Sequence, residues 1–164
     1  MKLLTKLPLV ALLAVLSFSC STDSIDEKAE MLSSNLVIPA PTSFELHILE
    51  LINNHRLSIG LNPLQNMDLI KSQTYNHTDY MVETQTISHD YFFERSNFLK
   101  KNAGALKVSE NVAYGYTSAE ALVNAWIRSE GHRSNIEGDF TNFDISAEKG
   151  SDGKWYYTNI FIKK

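Results

Sequence analysis

The chain has one cysteine, Cys20, so no disulfide can form within it. A domain without disulfides must be large enough to hold itself together by its core. Basic excess is missing too: the formal net charge is -4. That argues against nucleic acid, which calls for a basic stripe. The longest apolar run, Leu7 to Phe18, is roughly a dozen residues, where a bilayer span needs about 20. There is no internal repeat. No H-E-x-x-H pair fixes two metal ligands on one helix, and no G-x-S-x-G elbow presents a nucleophile.

What is present begins with a leader. Lys2 and Lys6 precede the short apolar run, in the pattern of a secretory signal. Cys20 follows Leu16-Ser17-Phe18-Ser19, a loose form of the bacterial lipoprotein processing site. The two readings are an ordinary signal with an incidental cysteine, and a lipoprotein whose Cys20 takes lipid and becomes the new N-terminus. The second is the expectation, because the only cysteine sits where the signal ends. Two or more acyl chains would anchor the protein stably at the envelope membrane. Residues 1–20 are then signal peptide, 21–41 a flexible tether and 42–164 one domain. The tether starts acidic, with Asp23, Asp26, Glu27 and Glu30. Its apolar stretch Met31 to Ile38 offers a segment that can pack on the domain.

Within the domain, Phe44, Ile48, Leu51, Ile52 and His55 recur at helical spacing, with Ser43 as N-cap and Gly60 as the stop. A second helix is expected from Met67 to Glu83, capped by Asn66, with Ile70, Thr74, His77 and Met81 on one face. A short helix from Arg95 to Ala103 ends at Gly104. Glu110 to Tyr116 reads as a strand. Thr117-Ser118-Ala119-Glu120 reads as a capping box opening a third clear helix that carries Leu122, Val123, Trp126 and Ile127 and ends near Gly131. Phe143 to Lys149 and Lys154 to Lys163 read as strands around a Gly150–Gly153 turn. In the last strand Trp155, Tyr157 and Phe161 point one way, and Tyr156, Ile160 and Ile162 the other, so both faces are buried. Together these predict an α+β fold: a three-layer α-β-α sandwich around a mainly antiparallel sheet.

The order of motifs resembles the CAP superfamily, the SCP-like or pathogenesis-related-1 type of domain, in its bacterial secreted branch. The resemblance covers about Phe44 to Ile162. It rests on Leu51-Ile52-Asn53-Asn54-His55-Arg56, Gly60-Leu61-Asn62-Pro63-Leu64, His77 with Met81, Ser88-His89, Glu110-Asn111-Val112-Ala113, Trp126, Gly131-His132-Arg133-Ser134-Asn135-Ile136, and the strand Trp155 to Phe161. It implies an α-β-α sandwich with a large cleft lined by two histidines and two glutamates, a set that binds a divalent metal in some members. By position these are His89, Glu110 and His132, with Glu130 as the nearest candidate for the second glutamate. Glu130 is poorly placed, since residues two apart on a helix do not face each other; only a break at Gly131 could aim both it and His132 into one cleft. Ser109 stands where glycine usually precedes the glutamate, and Asn159 where glutamine is common.

The residues allow several chemistries. His89 and His132 could hold a divalent metal such as zinc, neutral imidazole being a common ligand. A histidine beside a carboxylate could be a general base, but small hydroxyls beside turns, Ser88, Ser109, Ser129 and Ser134 included, are mostly local caps. The competing reading is structural. Glu110 and His132 form a polar cluster ordering the cleft wall, Arg133 pairs with an acidic neighbour, His77 and His55 are satisfied core histidines, His47 faces solvent, and Tyr91, Phe92 and Phe93 either border a groove or join the core. The expected function is binding of an envelope peptide, lipid, glycan or protein through the cleft. The alternatives are a hydrolase using His89, Glu110 and His132, and a structural envelope protein without a small ligand.

Overall fold

The computed structural model describes residues 36–164. The expected signal peptide, Cys20 and the first part of the expected tether lie outside the described residues. Leu36, Val37 and Ile38 are exposed, so these residues do not pack on the domain as their apolar character invites.

Helix α1 is Ser43–Ser58. Its N-cap is Thr42 rather than Ser43. The Thr42 hydroxyl accepts from the Glu45 N–H while the Glu45 carboxylate accepts from the Thr42 N–H, a full capping box that only Thr42 can make with Glu45. A short strand β1, Gln65–Asn66, leads into α2, Asp68–Thr84. Asn66 does not cap α2. Met67 holds that position, and the Asp144 carboxylate, reaching from the sheet, accepts the Met67 N–H. Helix α3 is Phe92–Ala103, opening one turn earlier than the sequence pattern predicts and ending at Gly104, whose φ of 69° suits a residue without a side chain.

Strand β2 is Lys107–Tyr114. It starts before Glu110 and ends before Tyr116, because Lys107 to Tyr114 all pair with the final strand. Helix α4 is Ala119–Arg128. Its N-cap is Ser118, not Thr117. Ala119 is buried as the first helical residue, which leaves Ser118 as the last residue outside, and its hydroxyl accepts the Ala121 N–H. α4 does not reach Gly131. Ser129 turns extended at φ -88° and ψ 117°, and a new helix α5, Glu130–Ile136, runs straight through Gly131. Arg133 Nη1 donates to the Ile127 carbonyl that this break frees, and Arg133 has no acidic partner among the described residues. Strands β3, Asn142–Lys149, and β4, Trp155–Lys163, complete the sheet.

The sheet order is β1-β3-β4-β2, antiparallel except for the parallel β1–β3 pair. The fold is α+β, three layers, as the sequence predicts. One face of the sheet packs Tyr157, Phe161, Phe143 and Ile145 against Ile48 and Ile52 of α1, Leu122 and Trp126 of α4 and Ile136 of α5. The other packs Ile160 and Ile162 against Ile70 of α2 and Leu99 of α3, with Tyr156 against Met81. β4 is therefore buried on both sides.

The two edges of the sheet are finished differently. Past β1, the outward backbone of β3 is closed by a buried ion pair. Glu45 Oε1 accepts from Lys71 Nζ at 2.7 Å and from the Ala147 N–H at 2.9 Å, while Lys71 Nζ also donates to the Ile145 carbonyl. This pair joins α1 to α2 around the edge. β2 forms the opposite edge, and no strand lies beyond it among the described residues.

Candidate functional site

The edge of β2 brings the candidate residues together, but not as one cluster. Side chains alternate along a strand. Glu110 sits opposite Ile160 on the α2/α3 face, while Ser109 and Asn111 point to the layer holding α4 and α5.

On the α2/α3 side, Glu110 is enclosed, its side chain 1 % exposed. Arg95 of α3 grips it bidentately, Nε to Oε2 at 2.9 Å and Nη2 to Oε1 at 2.8 Å, and Arg95 Nη1 donates to the Asp90 carbonyl. His89 Nδ1 lies 2.8 Å from Glu110 Oε1. Burial alone would raise the Glu110 pKa. The His89 hydrogen bond, the Arg95 charge and nearby His77 outweigh it and hold the carboxyl below its usual range. A carboxylate only accepts, so Nδ1 of His89 carries the proton and Nε2 is left for another partner. The His89 side chain is 55 % exposed and is the open end of the Arg95–Glu110–His89 chain.

His77, on the buried face of α2, ties this loop from behind. Its Nε2 donates to the Ser88 carbonyl at 2.8 Å. Burial pushes its pKa down to about 4, with the Arg95 charge adding to the effect. His77 is thus a neutral core histidine that positions the residue before His89, although its Nδ1 is buried without a hydrogen-bond partner among the described residues. Tyr91 adopts φ 58°, a left-handed conformation rare for a bulky residue, where the His89 loop turns into α3. Phe93 is 71 % exposed while Tyr91 and Phe92 are half-buried, so none of the three joins the buried core.

On the other side, the His132 side chain of α5 makes no hydrogen bond or ion pair with Glu110. Its Nδ1 lies 2.8 Å from Ser129 Oγ. Ser129 occupies the N-cap of α5 yet makes no side-chain cap bond, because its hydroxyl is turned to the imidazole. Burial lowers the His132 pKa, and His89 is near enough to lower it further. Asn111 Nδ2 donates to the His132 carbonyl at 3.1 Å, and Asn135 Nδ2 donates to Asn111 Oδ1 and to the Glu110 carbonyl. Ser109 bonds Asn135 Oδ1. These amides seat α5 on β2. Beside His132 opens a cavity of about 270 Å³ lined by Ile87, Val112, Tyr114, Tyr116, Trp126 and Ser129, among others.

Glu130 is exposed and bonds to none of these residues; the break falls at Ser129, so it leaves the site. His55 is not a core histidine: it is partly exposed and pairs with Glu137 at 2.9 Å. His47 faces solvent, as expected. The donors do not fit a resident metal. Among the described residues no group of three or more His, Cys, Asp or Glu is gathered as an ion requires, and Glu110 is already committed to Arg95 and His89. Sequence reasoning missed Arg95 and the Ser129–His132 pair. The only signal for the first was a basic residue in a short helix upstream of a glutamate expected to be buried.

A family model described as CAP, the cysteine-rich secretory protein family, matches residues 49–161. The chain belongs to the CAP family. Its single cysteine lies outside the matched CAP domain. Among curated relatives, the uncharacterized membrane protein YlbC of Bacillus subtilis is 32% identical over 127 residues, covering 75% of this chain and 35% of that protein. The uncharacterized protein YkwD of the same organism is 32% identical over 139 residues, covering 80% and 52%. The chain thus spans at most about half the length of these relatives. Among solved structures, an outer surface protein from Borrelia burgdorferi superposes with a TM-score of 0.67 at 22% identity, over 76% of this chain and 96% of that one. An extracellular protein containing a SCP domain from Bacillus anthracis superposes with a TM-score of 0.63 at 24% identity, over 77% and 45%. These structures share the CAP fold. No helix of the described residues is long and apolar enough to cross a membrane.

Proposed function

We propose that this CAP protein is exported, anchored at the cell envelope through lipid on Cys20, and binds an envelope ligand in the cleft along β2 between His89 and His132. The observation that carries binding over Glu-based hydrolysis is the saturation of Glu110. Both its oxygens are held by Arg95 and His89, and it is kept ionised. A general acid or base must exchange protons near the working pH; this carboxylate is built to stay charged and to aim His89. Names of similar proteins, one extracellular and one an outer surface protein, agree with export. The test is binding of labelled envelope fragments to the protein and to His89→Ala and His132→Ala variants. Weaker binding with retained fold supports the reading; equal binding by all three sinks it.

A second reading rests on the Ser129–His132 pair. A hydroxyl 2.8 Å from an imidazole held neutral by burial has the makings of a nucleophile and its base. A fluorophosphonate probe decides: labelling lost in Ser129→Ala favours hydrolysis, and no labelling removes it.

A further inference from the structure

β2 leaves backbone groups without a strand partner among the described residues, and the pattern of what is covered is informative. Gly115 N–H bonds the Trp155 carbonyl, so in register the odd residues of β2 face β4 and the even residues face outward. The outward carbonyl of Glu110 is taken by Asn135 Nδ2 at 3.3 Å, and that of Val112 by Trp126 Nε1 at 3.4 Å. The outward N–H groups of Val112 and Tyr114 and the Tyr114 carbonyl have no strand beside them among the described residues. Val112 is only 6 % exposed. The far edge of the sheet shows what closure looks like here: Glu45 takes the Ala147 N–H and Lys71 the Ile145 carbonyl, so donor and acceptor are both consumed. At β2 the Val112 carbonyl is covered while the donor beside it is left. An edge N–H with no strand beside it is a free donor for an occupant that brings a carbonyl.

The cavity of about 270 Å³ opens from this same stretch, Val112 to Tyr114, and runs under Trp126 to Ser129 and His132. No Asp, Glu, Lys or Arg lines it. An uncharged wall disfavours a charged group entering, since burying an unpaired charge is expensive. A lipid chain would fill the cavity but leave the Val112 N–H without a partner. A glycan could use the polar groups of Tyr114, Tyr116, Ser129 and His132, but its hydroxyls are not spaced to pair with the backbone of an edge strand. An extended peptide satisfies both features at once: its backbone supplies carbonyls to the edge, and one side chain fills the cavity.

We propose that the ligand of this cleft is an extended polypeptide segment that adds to β2 as a further strand at Val112–Tyr114, inserting one uncharged apolar side chain into the cavity beneath Trp126. The proposal rests on the cleft being the binding site. It gives His132 and Ser129 a polar role at the cavity's end, and it confines strand addition to the half of β2 that Asn135 does not cover.

The test uses the capped peptide Ac-Thr-Val-Phe-Val-Thr-NH2 on ¹⁵N-labelled protein, read by NMR. The expected result is a shift of the Val112 and Tyr114 amide signals with slowed exchange, and at least tenfold weaker binding when Phe is replaced by Lys. Two further peptides are methylated on alternate backbone nitrogens, one on the even positions and one on the odd. Strand addition uses one edge of the peptide, so one methylated peptide should lose at least tenfold in affinity and the other little. Ala125→Leu, at a half-buried position lining the cavity, should abolish the effect with the remaining spectrum unchanged. Equal binding by both methylated peptides overturns strand addition. Phosphatidylcholine vesicles that shift the cavity signals where the peptide does not also overturn it. If no peptide binds but envelope fragments still bind in a His132-dependent way, only the peptide assignment falls. If neither binds, the cleft reading falls with it.

Discussion

Arg95→Ala is the most informative single perturbation. In the folded protein Arg95 supplies Glu110 with two charge-assisted hydrogen bonds and ties down the Asp90 carbonyl. Its removal leaves a carboxylate that is 1 % exposed with His89 as its one strong partner. Breaking a buried pair by deleting one member costs about 3–5 kcal/mol, because the other charge stays buried uncompensated. Burial, which already acts to raise the Glu110 pKa, would then meet less opposition, and the carboxyl would be easier to protonate than in the parent. The expected result is therefore a loss of about 3–5 kcal/mol in urea unfolding at pH 7, shrinking as the pH is lowered and Glu110 is neutralised. The sign is that of a group whose folded pKa, once raised, makes the ionised form the costly one. Adding Glu110→Gln to Arg95→Ala should recover part of the loss, so the double-mutant cycle should show a coupling of about 0.5–3 kcal/mol. A single-variant cost under about 1 kcal/mol, far below the usual range for a broken buried pair, or strict additivity of the two changes, would refute the claim that Arg95 holds Glu110 charged.

Other consequences can be checked on the same footing. His77 is held neutral, its pKa pushed from 6.5 to about 4. Below pH 6.5 the unfolded chain takes up a proton that the native state refuses, so stability should fall by about 3 kcal/mol between pH 6.5 and 4 on this group's account. His77→Leu should flatten that part of the pH profile relative to the parent, and an unchanged slope would contradict it. Glu148 is raised from 4.5 to about 7, first by burial and then by Asp79. Its ionised form is therefore the costly one, and Glu148→Gln should stabilise the protein above pH 7, with the gain fading as the pH falls toward 4.5, in thermal unfolding at several pH values. Gly138→Ala would set a methyl 2.5 Å from the Phe140 ring and 2.9 Å from the Ser134 carbonyl. Overpacking of this kind costs about 1–3 kcal/mol, readable as a lowered melting temperature.

How much of this was legible in the sequence varies with the range of the interaction. Alternation in Trp155 to Phe161 and helical spacing around Trp126 report burial directly, so the doubly covered strand and the core face of α4 were readable. Gly104 was readable as a helix stop. Caps were readable only to within a residue, because Thr42-Ser43 and Thr117-Ser118 each offer adjacent hydroxyls and the choice depends on which residue the core swallows. Asp144 capping α2 from the sheet was beyond reach, since nothing local to Asn66 or Met67 signals a carboxylate so distant in the chain. Arg95 was missed for the same reason. The expectation that Glu110 and His132 form one cluster failed on a simpler point, the alternation of side chains along β2.

That alternation also explains why the two residues sit next to one open edge. Glu110 and Asn111 are neighbours in the chain but serve opposite layers. Glu110 gathers Arg95, His77 and His89 on the α2/α3 side, and Asn111 gathers His132 and Asn135 on the α5 side. At the other edge the layers are joined around the sheet by Glu45 and Lys71. At β2 each layer is instead fastened to the strand itself, through a residue of the same dipeptide, and no side chain needs to cross the gap. The layers can then hold His89 and His132 on either side of the edge without closing over it, which keeps the Val112–Tyr114 backbone and the cavity beside it accessible. A motif that placed both residues on one face would have built a polar core and no cleft.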